Sequence, residues 1–409
     1  MKYMIIGGGC AGIEAAREIR RRDSEVKIII IDDSGDSFIF RPALKEYLMG
    51  AIRKEELRGL PAGFFIDKRI EFLKGTVTSL DADKTLITVK ENGKDTVKNY
   101  DKLLLAHGGR PNLPPYLGDR DLKNVFQFKS LGDAESIKSH LKTSKGRCMV
   151  IGGGVLGVET AELLSRMDHN VTLLSRSENL VFRGIPKRLR QRVRNLFEKN
   201  GVAILMCKMV TDIEISGDRL TGLVLDDGNL LEMDMLIACT GISPNLNLAA
   251  EAGLEISKGI HVDRTMRTSR ENVFAAGDCV VLDWSSRKIL RLWEPSRRMG
   301  RIAGANMTGA NEVFDPYPSF YHTYLFDVPL GFFGDFDTPG EDYDRVTRKT
   351  DDGYRELVIK NNRLVGASFM GGRPSPPPFL HLMKSGKKIR GGFRQLLDDD
   401  FDIERLWYQ

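Results

Sequence analysis

The 409-residue sequence has no apolar run approaching the roughly 18 residues of a membrane-spanning helix, which excludes a membrane span. Cysteine is also scarce. The five cysteines are widely scattered and form no C-x-x-C or other paired spacing, which excludes the common zinc and dithiol arrangements; we expect no metal site. The excess of one sign of charge is small, since 61 basic residues face 56 acidic ones for a net charge of +5. That excess is too small to indicate nucleic acid binding, although it is compatible with an acidic protein partner.

The start of the chain lacks the features of a cleaved leader. A strand-like stretch begins at Tyr3 and runs directly into the glycines from position 7. A signal peptide would need a basic end, a longer apolar segment and a cleavage site ahead of the first strand. Cleavage here would cut into the fold, so we expect a cytoplasmic protein. Hydrophobic residues make up 41% and charged residues 29% of the chain, a balance typical of a globular protein, and the length of 409 residues predicts two or three domains.

The most informative feature that is present is an internal repeat. Residues 5–16 read IIGGGCAGIEAA and residues 150–161 read VIGGGVLGVETA. Each copy places G-x-G-x-x-G between an apolar strand and a helix-like run. The first glycine of this motif makes a tight turn, the second lets the backbone approach a pyrophosphate, and the third allows close helix packing. Two copies in matching context therefore predict two dinucleotide-binding sites. Their glycines are Gly7, Gly9 and Gly12, and Gly152, Gly154 and Gly157.

The residues that follow each repeat indicate which nucleotide it binds. After the first copy, VKIIIIDD ends the second strand at Asp32, with Asp33 beside it, and a carboxylate there accepts the ribose hydroxyls of an adenosine. After the second copy, VTLLSRSENL has Ser175 and Arg176 where a carboxylate is expected. A hydroxyl followed by an arginine suits a ribose 2′-phosphate, and Arg183 could extend that pocket. We expect NADPH in the second site, with NADH and a solvated, unselective arginine as the alternative.

A second pair of similar segments and a third marker support this layout. Residues 100–112 and 234–245 each read as a buried apolar strand that ends in a glycine turn and a Pro-Asn. In a protein with two nucleotide folds, such turns mark the places where the chain crosses between domains. The segment at 268–280 is a buried strand that ends in Gly277-Asp278, which puts one carboxylate beside the sugar-like chain of a nucleotide.

Together these motifs resemble the two-dinucleotide-fold flavoproteins of the pyridine nucleotide–disulfide reductase superfamily, which bind FAD in the first fold and NAD(P)H in the second. FIFRPALKEYL at 38–48 resembles a segment of NAD(P)H:rubredoxin reductases and of the flavin part of nitrite reductases. RLWEPSRRMGRIAGANMTG at 291–309 resembles their flavin-covering helix, and LVIKNNRLVGASFMGG at 357–372 resembles a hairpin of their C-terminal domain. Apolar residues that alternate around Asn361-Asn362 predict that hairpin independently.

The resemblance implies an α/β fold with two Rossmann-like dinucleotide-binding domains and a small C-terminal α+β domain. We expect a discontinuous FAD domain at 1–113 and 243–318, an NAD(P)H domain at 114–242 and the third domain at 319–409. Each nucleotide fold should be a mostly parallel sheet with right-handed crossovers.

The resemblance also implies which residues form the sites. Among the catalytic residues, Lys45 would lie along the flavin, Glu159 would position the nicotinamide, and Glu294 would begin the helix that closes the isoalloxazine site. Val77 would offer its backbone to the adenine, and Asp278 would bond the ribitol chain. The full set implied for cofactor binding is Gly7, Gly9, Cys10, Ala11, Gly12, Asp32, Asp33, Arg41, Pro42, Lys45, Val77, Ala106, Gly108, Gly152, Gly154, Val155, Leu156, Gly157, Glu159, Ser175, Arg176, Arg183, Gly241, Gly277, Asp278 and Trp293.

Two departures from the superfamily bear on the chemistry. Members that use a single redox cysteine carry it in an S-F-x-x-C segment, and here Ser37-Phe38-Ile39-Phe40 is followed by Arg41. A thiol relay is therefore not expected. The second departure is His107, which stands where the family usually has threonine. We expect a packed or exposed histidine there rather than a catalytic one.

The implied function is transfer of hydride from NAD(P)H to FAD, and of electrons onward to a small iron protein such as rubredoxin or ferredoxin. Basic docking candidates are the helix-like run at 186–194 and the trio Arg297, Arg298 and Arg301. One alternative is an NAD(P)H oxidase, a quinone reductase or a coenzyme A disulfide reductase, the last of which would require a role for Cys10. Another is a redox-responsive binding flavoprotein resembling apoptosis-inducing factor. Either a monomer or a homodimer fits the resemblance.

Overall fold

The structure, a computed structural model, describes residues 1–34, 38–144, 146–282, 284–285, 291–337, 342–350, 353–372, 376–389 and 392–398. Ser37 of the predicted S-F-x-x-C-like segment lies outside these ranges, as do residues 399–409 of the predicted C-terminal domain. The described residues contain no helix that is long and apolar enough to cross a membrane.

Nine α-helices occur within the described ranges, and the longest has 15 residues. They are α1 (Cys10–Arg22), α2 (Leu44–Met49), α3 (Phe64–Asp67), α4 (Leu131–Thr143), α5 (Val155–Arg166), α6 (Lys187–Lys199), α7 (Asn247–Glu251), α8 (Trp293–Met307) and α9 (Pro376–Ser385). Single 3-10 turns lie at Arg41–Ala43, Lys54–Leu57, Pro115–Leu117 and Phe393–Leu397.

The same ranges contain 25 β-strands, most of them short. In the first half of the chain they are β1 (Lys2–Ile6), β2 (Lys27–Asp32), β3 (Ile70–Lys74), β4 (Thr76–Asp81), β5 (Leu86–Glu91), β6 (Lys94–Asn99), β7 (Lys102–Leu105), β8 (Gly109–Pro111), β9 (Val125–Gln127), β10 (Arg147–Ile151), β11 (Asn170–Ser175) and β12 (Ala203–Met206). In the second half they are β13 (Val210–Ser216), β14 (Arg219–Leu225), β15 (Leu230–Glu232), β16 (Met235–Ala238), β17 (Ile242–Pro244), β18 (Ile260–His261), β19 (Val273–Ala275), β20 (Val280–Val281), β21 (Phe320–Leu325), β22 (Val328–Gly334), β23 (Asp344–Lys349), β24 (Tyr354–Lys360) and β25 (Arg363–Met370).

The chain divides into two compact units. The first unit comprises Met1–Pro111 and Ile242–Pro316, and the second comprises Asn112–Gly241 and Tyr317–Gln409. The three-domain division expected from the sequence stays a prediction.

The first unit is built on an all-parallel sheet with strand order β19-β7-β1-β2-β3. The four consecutive isoleucines Ile28–Ile31 of β2 are all buried, as expected for a parallel strand that is covered on both faces. Strand order reverses at β1, so the carboxyl end of β1 is the switch point where open α/β sheets bind ligands. The unit also contains the antiparallel sheet β4-β5-β6 and the two-stranded pairs β8–β17 and β18–β20.

The second unit repeats this plan and adds a third element. Its parallel sheet has the order β12-β11-β10-β16-β9, with the second glycine motif after β10, and β13-β14-β15 form an antiparallel sheet. A five-stranded antiparallel sheet, β21-β22-β25-β24-β23, forms from the C-terminal part of the chain. Its β24–β25 hairpin turns at Asn361 and Asn362, both with positive φ as in a type I′ turn, and this confirms the predicted hairpin. The α/β class with two parallel nucleotide-type sheets is likewise confirmed.

Helices α1 and α8 pack unusually closely in the first unit because glycines of α8 face α1. A Cβ atom on Gly300 would overlap the carbonyl oxygen of Ala11, and one on Gly304 would lie 2.5 Å from the carbonyl oxygen of Ala15. Backbone cannot move aside as a flexible side chain can, so both positions require glycine. The contact fixes α8 against the helix that follows the first glycine motif.

We therefore expect Gly304→Ala to lower the thermal midpoint of the protein, because the added methyl group forces α8 away from α1 at a cost of about 1–3 kcal/mol. Differential scanning calorimetry measures the change. The matched control is Gly132→Ala in α4, where the nearest heavy atom to an added Cβ is 3.7 Å away, and its midpoint should be unchanged or slightly raised. Equal midpoints for the two variants would show that the contact between α1 and α8 does not require glycine.

Candidate functional site

The first glycine motif forms a turn that only glycine permits at two of its three positions. Gly7 follows β1 with φ +106°, and a Cβ on it would collide with the backbone of Ala106 at the end of β7. A Cβ on Gly12 would overlap the carbonyl oxygen of Gly7. A Cβ on Gly9, in contrast, would have no heavy atom within 4 Å, so open space lies in front of this residue. The turn is thus closely packed at Gly7 and Gly12 and open at Gly9, which leaves room for a pyrophosphate to approach the Gly9 backbone.

The second motif has the same geometry after β10. Gly152 has φ +119°, and a Cβ on Gly157 would overlap its carbonyl oxygen. A Cβ on Gly152 would overlap the carbonyl oxygen of Cys239, just past β16. Gly154 again faces open space. Val155 and Leu156 begin α5, and Leu156 is 41% exposed.

Within the described ranges, no side chain caps the first N–H groups of the helices that follow these motifs. Both α1 and α5 start after a glycine, with no side-chain cap and no acidic residue in the first turn. Helix α4 shows the ordinary solution, a capping box in which Ser130 and Asp133 bond the first N–H groups. Uncapped N–H groups and the positive end of the helix dipole attract an anion. The residues present therefore fit the pyrophosphate of a dinucleotide at each motif.

The residues that end the strand after each motif helix, Asp32 in β2 and Ser175 in β11, form different hydrogen bonds. The Asp32 carboxylate accepts a hydrogen bond from the Gly8 N–H at 2.6 Å and one from the Ser34 N–H at 2.9 Å, while Asp33 is exposed. In the second unit the Ser175 hydroxyl donates to the Ser177 carbonyl at 3.0 Å, and Ser175 is 5% exposed. Ser175 therefore shapes its own turn rather than presenting its hydroxyl outward.

The loop beyond Ser175 carries the exposed cations of this region. Arg176 and Arg183 are exposed, and neither forms a hydrogen bond or ion pair with any residue that the structure describes. Between them Val181 has φ +66°, a strained conformation for a β-branched residue. Its N–H donates to the Gly153 carbonyl at 2.7 Å, which attaches this loop directly to the second glycine motif.

A second group of predicted residues converges beside the first glycine motif. Trp293, at the start of α8, packs against Phe38 at 5.4 Å and Phe40 at 5.0 Å between ring centroids. The Cys10 thiol donates to the Trp293 carbonyl at 3.8 Å. Burial, assisted by the nearby Asp278 carboxylate, raises the pKa of Cys10 to about 12, so this thiol stays protonated. No sequence pattern links Cys10 to Trp293.

The carboxylate of Asp278 belongs to the same group. The Ser296 hydroxyl of α8 donates to it at 3.3 Å. Gly277, with φ +87°, lies against Ala11, and a Cβ on it would come within 3.2 Å of the Ala11 Cβ. Ser296 is not among the residues predicted from the sequence, because nothing in a helical segment signals a partner that lies 18 residues away.

His107 contributes an unsatisfied acceptor to this unit. It stands between Ala106 and Gly108 at the end of β7, and its Nε2–H donates to the Asn245 carbonyl at 2.8 Å. Burial lowers its pKa, so the ring is neutral, and its Nδ1 is buried with no partner among the described residues. A buried acceptor of this kind suits a cofactor hydroxyl, which adds to the fit for FAD.

The remaining predicted residues are distributed around these groups. Arg41 and Pro42 are exposed in a 3-10 turn, and Lys45 lies in α2. Val77 is buried in β4 at a bulge, where the pairing register shifts before Ser79. Burial raises the pKa of Glu294, whose Oε2 is buried without a partner among the described residues. Gly241, with φ +99°, ends the segment that follows β16.

Glu159 lies on α5 in the second unit and has two partners that were not predicted from the sequence. The Tyr321 and Thr323 hydroxyls both donate to its Oε1, each at 2.7 Å. The only sequence signal for them is a pair of hydroxyl residues two positions apart in a strand, which places both on one face. That pattern does not identify the helix that the face contacts.

Two nucleotide-type sheets, each with an open glycine turn at its switch point, are typical of proteins that bind two dinucleotides. The chain belongs to the pyridine nucleotide-disulphide oxidoreductase family, whose model matches residues 1–301. It is accordingly an FAD- and NAD(P)H-dependent flavoprotein enzyme. The described residues contain no cluster of three or more histidine, cysteine, aspartate or glutamate side chains that could hold a metal ion.

Relatives with several different activities are similar to this chain in sequence and in fold. It is 29% identical over 343 residues to an NADH oxidase from Methanocaldococcus jannaschii, covering 82% of this chain and 76% of the relative. It is 29% identical over 414 residues to rhodocoxin reductase from Rhodococcus erythropolis, covering 99% and 94%. Among solved structures, an NAD-dependent persulfide reductase from A. fulgidus matches with a TM-score of 0.87 and 27% identity, covering 95% of this chain and 78% of that one.

The state of the cysteines gives a direct test of the site. Burial raises the pKa of Cys10, Cys148, Cys239 and Cys279 to about 12, and Cys207 is the exposed cysteine. At pH 8 a thiol with a pKa of 12 is ionised in only about 1 molecule in 10⁴. We expect a disulfide-exchange reagent to modify one thiol per native chain quickly, and none in Cys207→Ser. Rapid modification of one thiol in the Cys207→Ser protein would instead reveal a reactive thiolate among the other four.

Proposed function

We propose that the protein is an NADPH-dependent reductase of a small iron protein, rubredoxin-like or ferredoxin-like, and that it works without a thiol relay. The supporting observation is the state of the thiol nearest the predicted flavin site. Cys10 donates to the Trp293 carbonyl and has a pKa of about 12, while Arg41 takes the position of the redox cysteine of thiol-using relatives. The names of rhodocoxin reductase and putidaredoxin reductase, the latter 33% identical over 282 residues, agree with this class of acceptor.

The first unit would hold FAD, which accepts a hydride from NAD(P)H and yields electrons to an acceptor. The uncapped N-terminus of α1 and the open backbone at Gly9 would bind its pyrophosphate. Asp32 would accept the adenosine ribose hydroxyls, Val77 would offer backbone to the adenine, and Asp278, held by Ser296, would bond the ribitol chain. The domain limits follow the sequence: FAD at 1–113 and 243–318, NAD(P)H at 114–242, and the C-terminal domain at 319–409.

Three ionisable residues would bind or orient the flavin and nicotinamide rings. Lys45 would lie along the flavin, and Glu159 would orient the nicotinamide. Glu294 would begin the closing helix, where burial raises its pKa, and its Oε2, which has no partner among the described residues, would meet a donor. These side chains bind and orient, which is what a protein contributes when the cofactor supplies the redox chemistry.

The preference for NADPH would come from Arg176, with Arg183 beside it. Both guanidinium groups are exposed and form no hydrogen bond or ion pair within the described part of the chain, so no internal partner competes for a 2′-phosphate. Ser175 would act indirectly, because its hydroxyl bonds the Ser177 backbone. A carboxylate in its place would repel the phosphate, and its absence is part of the selectivity.

Arg176→Ala should raise the KM for NADPH about 10-fold to 30-fold and leave kcat/KM for NADH within about twofold, because only NADPH carries the phosphate that the arginine binds. Steady-state kinetics with ferricyanide as acceptor measures both. The control is Arg194→Ala, which removes an arginine that pairs with Glu198 on α6 and should change neither constant. Equal loss with the two nucleotides would show that Arg176 does not select NADPH.

The electron acceptor would dock on a basic surface. Arg297 is exposed and forms no hydrogen bond or ion pair among the described residues. Arg298 and Arg301 are partly occupied by Glu294 and Glu312. A small acidic iron protein would be attracted to this end of α8, and the attraction should weaken as salt is added. Cytoplasmic location and a monomeric or dimeric state belong to the same proposal.

The acceptor is tested by comparing turnover under NADPH with rubredoxin, ferredoxin, oxygen, a quinone and coenzyme A disulfide. We expect kcat/KM for an iron protein to exceed that for every other acceptor at least tenfold, and to fall with ionic strength. Prior reduction with NADPH followed by iodoacetamide should leave turnover of the Cys207→Ser protein unchanged, because no thiol is released.

Other outcomes of this panel select the alternatives. Fastest turnover with oxygen, a quinone or coenzyme A disulfide would replace the iron-protein proposal by the corresponding small-molecule reductase. Inactivation by iodoacetamide after reduction would restore a thiol relay. Very slow turnover with every acceptor, with the flavin still reduced by NADPH, would favour a redox-responsive binding protein.

A further inference from the structure

The C-terminal sheet reaches the helix of the second glycine motif through hydroxyl groups. Tyr321 and Thr323 lie two residues apart on β21 and therefore on one face of the strand. Both donate to the same carboxylate oxygen, Oε1 of Glu159, at 2.7 Å. Tyr321 is 8% exposed and Thr323 is 6% exposed, so water competes little for either bond. Two donors on one oxygen fix the rotation of the carboxylate about its last bond.

We propose that Tyr321 and Thr323 are positioning residues that hold the Glu159 carboxylate in the orientation needed to align the nicotinamide ring. This inference rests on the role of Glu159 in the proposed function. It extends the nicotinamide site from the nucleotide fold to β21, a strand more than 150 residues further along the chain. The substrate is the NAD(P)H of the proposed function, because Tyr321 and Thr323 act on it only through Glu159.

The Tyr321 ring is itself held in place by aromatic packing. Phe182 meets it edge-on, with ring centroids 5.2 Å apart, and also contacts Phe332 of β22 at 5.3 Å. Phe182 follows the strained Val181, whose backbone bonds the second glycine motif. The same loop that carries Arg176 thus supports the hydroxyl that orients Glu159. Ring contacts of this kind fix one rotamer of the tyrosine.

A second attachment fixes β21 against the same helix. Glu162 lies one turn beyond Glu159 on α5 and accepts the Phe326 N–H at 3.2 Å, just past the end of β21. Phe326 and Asp327 form the turn to β22 with positive φ values, and Arg166 pairs with Asp327 at 3.0 Å. The strand is therefore attached to α5 on both sides of Thr323. A small shift of the hydroxyls relative to Glu159 is resisted at two points.

The hydroxyls remain donors throughout the working range of pH. Burial and the neighbouring Glu159 carboxylate raise the pKa of Tyr321 well above its ordinary value, so its proton is retained. Thr323 has no accessible ionisation. Tyr321 donates to Glu159 directly, and the charged residues that follow on the same face of α5, Glu162 and Arg166, pair with each other. The positioning effect should accordingly show no dependence on Tyr321 ionisation between about pH 6 and 9.

The test compares Tyr321→Phe, Thr323→Val and the double variant with the control Tyr324→Phe. Tyr324 neighbours both residues on β21 but is 55% exposed, and it has no hydrogen bond to Glu159. Anaerobic stopped-flow mixing with NADPH gives the limiting rate of flavin reduction and the apparent Kd. We expect each site variant to lower the limiting rate about tenfold, because misaligned reacting groups lose rate steeply, with the Kd changed less than the rate. Tyr324→Phe should match the wild type within twofold.

A binding measurement separates alignment from folding without relying on turnover. Calorimetric titration of each holoprotein uses NADP⁺ and 2′,5′-ADP, which has the same phosphorylated adenosine but no nicotinamide. We expect the site variants to bind 2′,5′-ADP as the wild type does and to bind NADP⁺ several-fold more weakly. Weakened binding of both ligands would show that the pair merely supports the fold, and would overturn the proposal.

Glu159→Gln distinguishes failure of this inference from failure of the function on which it rests. If Glu159→Gln leaves the limiting rate unchanged, then the proposed role of Glu159 is wrong. If it lowers the rate while Tyr321→Phe and Thr323→Val do not, then only the positioning inference is wrong. Adding Tyr321→Phe to Glu159→Gln should cause little further loss, because residues that act through one another are not additive. Full additivity would overturn the inference.

Discussion

The close approach of a helix to a strand at the two glycine turns is the constraint on which the rest of the structure depends. Gly12 and Gly157 each lie so near the carbonyl oxygen of an earlier glycine that no side chain fits between them. That contact aims the helix N-terminus at the switch point of the sheet, where its N–H groups have no side-chain cap. A β-carbon at either position would push the helix away and disrupt the geometry that suits an anion. The fit of each turn for a dinucleotide is thus a consequence of backbone packing.

The predictable parts of the fold are those that short sequence motifs determine. The two glycine motifs, the isoleucine-rich strand after the first and the Asn361-Asn362 turn each act over a dozen residues or fewer, so their patterns are visible in the sequence. The two parallel sheets follow from these units by the rules of right-handed crossover. The separation of the chain into compact units depends on the sum of many packing contacts, which no short pattern encodes.

The candidate site was less predictable where distant side chains meet. The sequence places Ser175 beside a phosphate but does not indicate that its hydroxyl donates to the Ser177 carbonyl of its own loop. The sequence does not indicate Tyr321 and Thr323, because their partner, Glu159, is more than 160 residues away. The strand pattern predicts that the two hydroxyls share a face, but tertiary packing determines which helix covers that face. The packing of Phe182 against Tyr321 is likewise a contact between distant residues that no sequence pattern indicates.

The contact between α1 and α8 has a consequence for how the protein is made in a cell. Helix α1 is complete at Arg22, but the glycines that receive it, Gly300 and Gly304, emerge from the ribosome much later, and so does the edge strand β19. At ordinary rates of translation the delay is on the order of 15–50 s. During that interval the nascent first unit exposes the apolar face of α1 and an unfinished sheet edge, which are surfaces that chaperones recognise and that promote aggregation. Synthesis of this chain should therefore depend on protection of its earliest residues until its last third is being translated.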